Sequence, residues 1–556
     1  MKTFIALLLA LPLLCFAQKQ PKAIKVTYQK SYLGRVTDAD NPVVIFSDIN
    51  KTMITSTAIL AKKAILPAEQ TVVSHSDESY IQLAELGTGK FISTKDSTSI
   101  KKQQLELLPD TKTILGYTCH KAKTVINSNT IEIWYTNDLG IKGAPSVLGI
   151  GLGLVLETVR NNNFVVTATK VEKLKDGKTH YTIPSGIKIT DALSYRDQLW
   201  KSRFTTISVF KDEVINFSGE SASNDSVVRF ANGTVILRKI NFPEIKPGNQ
   251  VFVDLTEQSN GDAYDRTGSV FIIPQGEKQS FLDGLKNGVN KLPLYDNGNG
   301  KKYQGIAKVT GYMPLLELMR FFTPFGVKQY NYLQLKDKTW QEAVPYRQDI
   351  SELAPSFSNK EVWVGVFIGN YDKGGHKISM NLTIHKDEVQ YNKDTTVLPL
   401  FNTVNVMEMA GQEYGMLFSS PKGLEVHFTL QKDLKNARLR YITTGHGGWE
   451  NGDEYLPKKN TITLDGKTAF AFVPWRQDCG TYRLYNPASG NFENGLSSSD
   501  YSRSNWCPGT VTNPEYIDLG DLKAGGHIIT ITIPMGAPEG TNFSAWNISG
   551  VLLGRE

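Results

Sequence analysis

The chain has 556 residues, 21% of them charged, and a formal net charge of +6. That charge is spread along the chain rather than gathered in tracts, which argues against nucleic acid or a membrane surface as a partner. Eight histidines and four cysteines, with no His-x-x-x-His or Cys-x-x-Cys spacing, argue against a zinc site; neither a metal nor a cofactor is expected.

Lys2, an apolar run over 4–16 and small Ala17 before Gln18 are read as a secretory signal peptide over 1–17. Leu14 is not the small residue that lipidation of Cys15 needs, so simple cleavage is expected. No later apolar run approaches the roughly 20 residues that cross a bilayer, and the product is expected to be secreted or periplasmic and monomeric. After cleavage three cysteines remain. In an oxidising compartment Cys479 and Cys507 are the expected disulfide, with Cys119 left as a buried thiol.

At about 150 residues per domain the remaining chain predicts three or four domains. Short β-rich runs at 43–46, 130–135 and 164–168 separated by polar turns predict a mainly antiparallel N-terminal domain over 18–195. Its runs at 113–122, 131–136 and 149–157 resemble the secreted family named for a Gly-Leu-Pro-Gly-Leu-Ile motif, with Gly151-Leu-Gly-Leu-Val155 in the motif's place. The polar stretch 191–203 is read as a linker or linker helix. Strand patterns then resume at 205–210, 227–230, 235–240, 250–255 and 267–274, the spacing of an all-β sandwich. The apolar run 313–322 predicts a short helix and 361–369 a buried strand. From 397 onward a second sandwich is expected, with strands at 425–430, 437–443, 460–464, 468–473 and 527–534, and a long Gly/Ser/Asn-rich loop at 489–505.

Three clusters carry the candidate chemistry. Gly261-Asp-Ala-Tyr-Asp-Arg266 places two carboxylates, a ring and a guanidinium at the mouth of a strand; alone it also fits a polar turn. Gly445-His-Gly-Gly-Trp-Glu-Asn-Gly-Asp-Glu454, followed by Tyr455, offers Glu450, Asp453 and Glu454 as competing second carboxylates. His446 in this stretch is expected to be a surface imidazole. Arg503 precedes Trp506-Cys-Pro-Gly509. Two carboxylates on β-sandwiches also fit an endo-acting glycoside hydrolase or, without catalysis, a glycan-binding protein.

Together with Arg320-Phe-Phe-Thr-Pro-Phe-Gly-Val327, these clusters resemble the peptide-N-glycosidase F family. The resemblance implies two tandem eight-stranded jelly-roll β-sandwiches, at 204–390 and 391–556, with the site between them. It implies hydrolysis of the amide joining Asn to the first N-acetylglucosamine of N-linked glycopeptides and glycoproteins. Asp265 then stands as the primary carboxylate, Glu454 as its partner and Arg503 as the active-site arginine, with Tyr264, Arg266, Trp449, Glu450 and Trp506 as substrate-binding residues. Two departures are visible. Gly261, Gly452 and Leu456 stand at cysteine positions, and a third family glutamate falls near Phe367, with Gly369 in place of a tryptophan.

Overall fold

The computed structural model describes residues 21–174, 186–330, 335–386, 394–447, 451–489 and 496–556. The signal segment with Cys15, and Trp449 and Glu450, lie outside the described residues. No helix among the described residues is long and apolar enough to cross a membrane. The chain divides into two compact units, Met1–Arg203 and Phe204–Glu556.

The N-terminal unit is built on one 13-stranded sheet, antiparallel except where Ile189–Thr190 runs parallel to Lys90–Asp96. Ala192–Lys201 is a helix, and Asp191 caps it by accepting from the amides of Leu193 and Ser194 at 3.0 and 2.9 Å. It is more than a linker. Buried Tyr195 packs with Ala84 and Ile92 and donates its hydroxyl to Glu69 at 2.9 Å, docking the helix on the unit's own sheet. Cys119 is a free, buried thiol. A cavity of about 760 Å³ lies along Thr55–Ala58 and Ile65–Glu69, but it holds no buried pair of ionisable groups.

The second unit holds two β-sandwiches. The first packs a four-stranded sheet, in the order Phe204–Ile215, His376–His385, Gln250–Ser259, Ala343–Asp349, on a six-stranded one. The latter runs Val228–Phe230, Val235–Asn241, Glu361–Ile368, Thr267–Ile273, Leu316–Phe322, Val511–Thr512, so its last strand comes from the C-terminal half of the chain. The second sandwich packs Thr396–Asn402, Ser544–Arg555, Leu434–Gly447, Glu515–Leu522 on Leu424–Leu430, Gly525–Thr532, Asn460–Leu464, Lys467–Phe472. The strand His376–His385 shows why the pattern was legible: buried and half-buried residues alternate along all ten positions.

The helix predicted at 313–322 is a strand. Leu316–Phe322 is buried at every position, so both faces need apolar side chains and the two-residue alternation disappears. Its two charged residues pair inside the fold. Arg320 donates to Glu317 through Nε at 3.0 Å and Nη2 at 2.7 Å, and through Nη1 to the carbonyl of Asn547 and to Thr444 Oγ1. Arg440 donates in return to the carbonyls of Glu317 and Leu318. These buried, fully engaged guanidinium groups join one sandwich to the other and fix the cleft between them.

Candidate active site

The loop Gly261–Arg266 leaves the strand Gln250–Ser259 and enters Thr267–Ile273. Asp262 shapes it: its carboxylate accepts from the Tyr264 amide at 3.1 Å and from Arg266 Nε and Nη2 at 2.7 and 3.0 Å. The segment after Arg320 holds the loop from outside. Arg266 N donates to Thr323 Oγ1, Thr323 N to the Arg266 carbonyl, and Gly326 N to the Ala263 carbonyl, at 2.8, 3.0 and 3.0 Å. The two motifs read separately in the sequence are thus one structural piece.

Behind Asp262 lies a buried imidazole. His376 Nδ1 is 2.8 Å from Glu257 Oε1 and its Nε2 is 3.5 Å from Asp262 Oδ2. Burial pushes the imidazole down, but hydrogen bonds to Asp262 and Glu257, with their charges, outweigh it and raise it to about 9. Asp262 is correspondingly held well below the usual carboxylate range by His376 and Arg266, against its own burial. A folded-state value above the unfolded one means that His376 contributes stability fully below about pH 6.5, lost as pH rises through about 9. The melting temperature is therefore expected to fall across that window, and His376→Gln to flatten the fall. An unchanged slope in the variant sinks the assignment.

The second carboxylate arrives on the turn after Leu434–Gly447. Gly447 ends that strand with φ +79°, and a Cβ there would lie 2.4 Å from the Phe543 carbonyl, so only glycine fits. Glu454 is seated by its carbonyl accepting from Ser504 N at 2.9 Å. The segment carrying Arg503 is pinned by the Cys479–Cys507 disulfide and by paired backbone bonds between Arg476 and Arg503 at 2.8 and 3.0 Å.

These elements converge on one guanidinium. Arg503 Nη1 bonds Glu454 Oε1 and lies 3.1 Å from Asp265 Oδ2, while its Nη2 donates to the carbonyl and hydroxyl of Ser498 at 2.5 and 2.9 Å. The Arg503 side chain is 1% exposed and stacks 4.2 Å from the Trp506 ring centre. Burial pushes Asp265 up, and the Arg503 charge only partly offsets this. Glu454 is also raised, by burial first and then by the Asp265 charge. One cation serves two desolvated carboxyls, so the pair favours holding a single proton.

A cavity of about 430 Å³ opens above Asp265, lined by Arg266, Phe367, Tyr371, Glu408 and His446 among others. Tyr264 and Tyr371 are exposed, with the Arg266 guanidinium 5.3 and 5.4 Å from their ring centres. Trp506 is no sugar platform: it is 3% exposed, donates Nε1–H to the Gly445 carbonyl and stacks on Phe322 at 4.3 Å. His446 is not at the surface either. It lies in the strand Leu434–Gly447, half-buried against Phe322 and Trp506, and burial with the Arg320 and Arg503 charges lowers it to about 3, so it stays neutral. Asp453 is buried, accepting from Gly536 N and Trp546 Nε1 at 3.0 and 2.8 Å; it braces the turn rather than facing the cavity. Phe367 and Gly369 line the cavity with no carboxylate of their own. Tyr371, Glu408, Tyr414 and Asn405 were not singled out in the sequence. Tyr371 had a usable signal, an aromatic ring within the polar turn after a buried strand; Glu408 and Asn405, in irregular chain, had none.

Two β-sandwiches meeting over a buried carboxylate–arginine–carboxylate cluster, with tyrosines at the mouth, define a hydrolase built for a carbohydrate-bearing substrate. Family models described as N-glycanase peptide, N-terminal domain, as Peptide-N-glycosidase F, N terminal, and as Peptide-N-glycosidase F, C terminal match residues 26–197, 206–384 and 413–553. The solved structure of PNGF-II in one crystal form is 55% identical, covers 96% of this chain and 99% of its own, and has a TM-score of 0.89; a second form gives 55%, 96%, 98% and 0.86. PNGase F, a glycosylasparaginase from Flavobacterium meningosepticum, is 14% identical over 64% of this chain and 96% of its own, with a TM-score of 0.42. No curated protein sequence matches. The chain belongs to the peptide-N-glycosidase F family, and with that membership it is an N-glycan amidase.

Proposed function

We propose that the chain hydrolyses the amide between an Asn side chain and the first N-acetylglucosamine of N-linked glycopeptides and glycoproteins, with the unit Phe204–Glu556 carrying the catalysis. The observation that supports it most directly is Arg503 held between Glu454 and Asp265, the latter lining the cavity. Amide hydrolysis needs a base to take a proton from water and an acid to give one to the departing nitrogen. A pair of raised carboxyls sharing one proton supplies both. Asp265 accepts the proton as water adds to the amide carbon. Glu454 gives its proton to the nitrogen as the C–N bond breaks, leaving the peptide carboxyl as Asp and the glycan as its glycosylamine. Arg503 balances the pair's charge throughout. Arg266, whose Nε and Nη2 are committed to Asp262, offers Nη1 to the amide oxygen as negative charge develops there. A disulfide and a signal-like N-terminus support export as the setting.

The test is mass spectrometry of a defined N-glycopeptide after incubation in heavy-oxygen water. Asn recovered as Asp carrying one heavy oxygen, with the whole glycan released, is the expected result. A peptide that keeps one N-acetylglucosamine makes the chain an endoglycosidase, and an intact glycopeptide that still binds makes it a glycan-binding protein.

A further inference from the structure

Behind the loop 261–266 four ionisable groups stand in a row, and the chemistry proposed above uses only the last of them. Glu257 and His376 are 0% exposed and Asp262 is 2% exposed; the Arg266 side chain, at the end of the row, is 19% exposed and lines the cavity. Glu257 lies on the strand Gln250–Ser259, and His376 opens the strand His376–His385 beside it. The imidazole stands between two carboxylates, with Nδ1 2.8 Å from Glu257 Oε1 and Nε2 3.5 Å from Asp262 Oδ2. An ionised carboxylate only accepts, and a neutral imidazole has one N–H, so both sides are satisfied only when both ring nitrogens carry protons. Tyr346, the other titratable group facing Glu257, supplies no charge: burial above all pushes its phenol well up, and its hydroxyl donates to the Phe322 carbonyl at 2.8 Å.

With the imidazolium in place the signs alternate along the row and cancel. A neutral ring would leave Arg266 as the row's single cation against two buried carboxylates, which favours protonating one of them. Asp262 is the joint through which this reaches the cavity. It accepts from Arg266 Nε and Nη2 together, and a bidentate pair fixes the plane of the guanidinium as well as its place. The loop's backbone has separate support. The Gly375 carbonyl accepts from Asn260 N at 2.8 Å and Asp262 N at 3.3 Å, and Ser259 Oγ donates to the Asp262 carbonyl at 2.6 Å. The His376 side chain therefore governs the charge on Asp262 more than the course of the chain.

We infer that His376, as an imidazolium, is a positioning residue for amide hydrolysis: it balances the Asp262 carboxylate, which in turn holds the Arg266 fork and leaves Nη1 for the amide oxygen. The inference rests on the amidase reading of the same cavity. His376 touches neither substrate nor water in this role. It acts through Asp262 and Arg266, from behind the loop that carries Asp265.

The experiment uses the full-length protein, its variants His376→Gln, His376→Arg and Arg266→Gln, and the double variant of His376→Gln with Arg266→Gln, each assayed well below its melting temperature. Values of kcat and KM are measured with one glycopeptide at neutral pH. His376→Gln is expected to lower kcat by about tenfold or more and to change KM less than twofold, because Arg266 meets charge that develops only as water adds. His376→Arg, which keeps a cation able to donate to both carboxylates, is expected to recover most of that loss. In the Arg266→Gln background, the change at His376 is expected to cost less than twofold, since its effect runs through Arg266. Wild-type kcat in His376→Gln overturns the inference, as do an equal loss in His376→Arg and losses that multiply in the double variant. Nitrogen NMR of the wild-type protein, with the His376 signals assigned by their absence from His376→Arg, gives a readout that needs no active variant. Two ring N–H groups are expected, and a neutral ring overturns the inference. An inactive wild-type protein overturns the amidase reading instead, so the two failures are told apart.

Discussion

Asp265→Asn is expected to lower kcat by about a thousandfold, within the usual range for removing a positioned acid or base, with KM changed little. The substitution keeps the shape of the side chain and deletes only its charge and its ability to take a proton. Its effect on Glu454 makes the expectation sharper. The Asp265 charge is one of the causes that raise Glu454, so neutralising Asp265 brings Glu454 back toward its ordinary range. In the wild-type protein the reaction needs Asp265 ionised and Glu454 protonated, which gives a bell-shaped profile of kcat/KM against pH. Both limbs are shifted up from the ordinary carboxylate range, because burial raises both groups. Glu454→Gln should remove the high-pH limb and cost a similar factor in kcat. A fully active Asp265→Asn protein, or a flat wild-type profile between about pH 4 and 9, rules out the proposed pair.

The sequence carried the fold well where side chains alternate. The run expected at 527–534 is the strand Gly525–Thr532, whose second half alternates between buried and half-buried positions because one face meets the core and the other does not. It misled where both faces are buried: Leu316–Phe322 shows no alternation, and its buried Glu317 and Arg320 look amphipathic only until each is seen to satisfy the other. Trp506 failed for a related reason. An aromatic residue beside a catalytic-type arginine suggests a sugar platform, but here its ring covers the back of the Arg503 guanidinium and its N–H is spent on Gly445. The exposed ring beside Arg266 is Tyr371, whose position depends on how the turn after Glu361–Ile368 folds over Arg266. Of the three acidic residues offered around Glu454, the structure describes two, and they point in different directions. Asp453 turns inward to Trp546, and Glu454 turns to Arg503, a difference that follows from the tertiary path of the turn.

Arg503→Met is expected to abolish measurable turnover and to destabilise the second unit by about 3–5 kcal/mol at pH 8, the usual consequence of removing one partner from a buried ion cluster. Methionine fills most of the space and keeps an apolar contact with Trp506, so the loss reports charge more than volume. Without the guanidinium, Asp265 and Glu454 stay buried, repel one another and lose the attraction that partly offset their desolvation. Their affinity for protons rises further. A carboxyl raised in the folded state favours folding at low pH, and that contribution is lost as pH climbs through the folded-state value. The difference in melting temperature between wild type and Arg503→Met should therefore shrink as pH falls from about 8 to 5, because the variant's carboxyls take up protons and the buried charge disappears. Arg503→Lys separates charge from shape: a lysine restores one positive charge but not the fork that reaches Asp265, Glu454 and Ser498 together. It should recover much of the stability at pH 8 and little of the turnover. A melting difference independent of pH means that Arg503 acts by packing alone, and the shared-proton account of Asp265 and Glu454 fails with it.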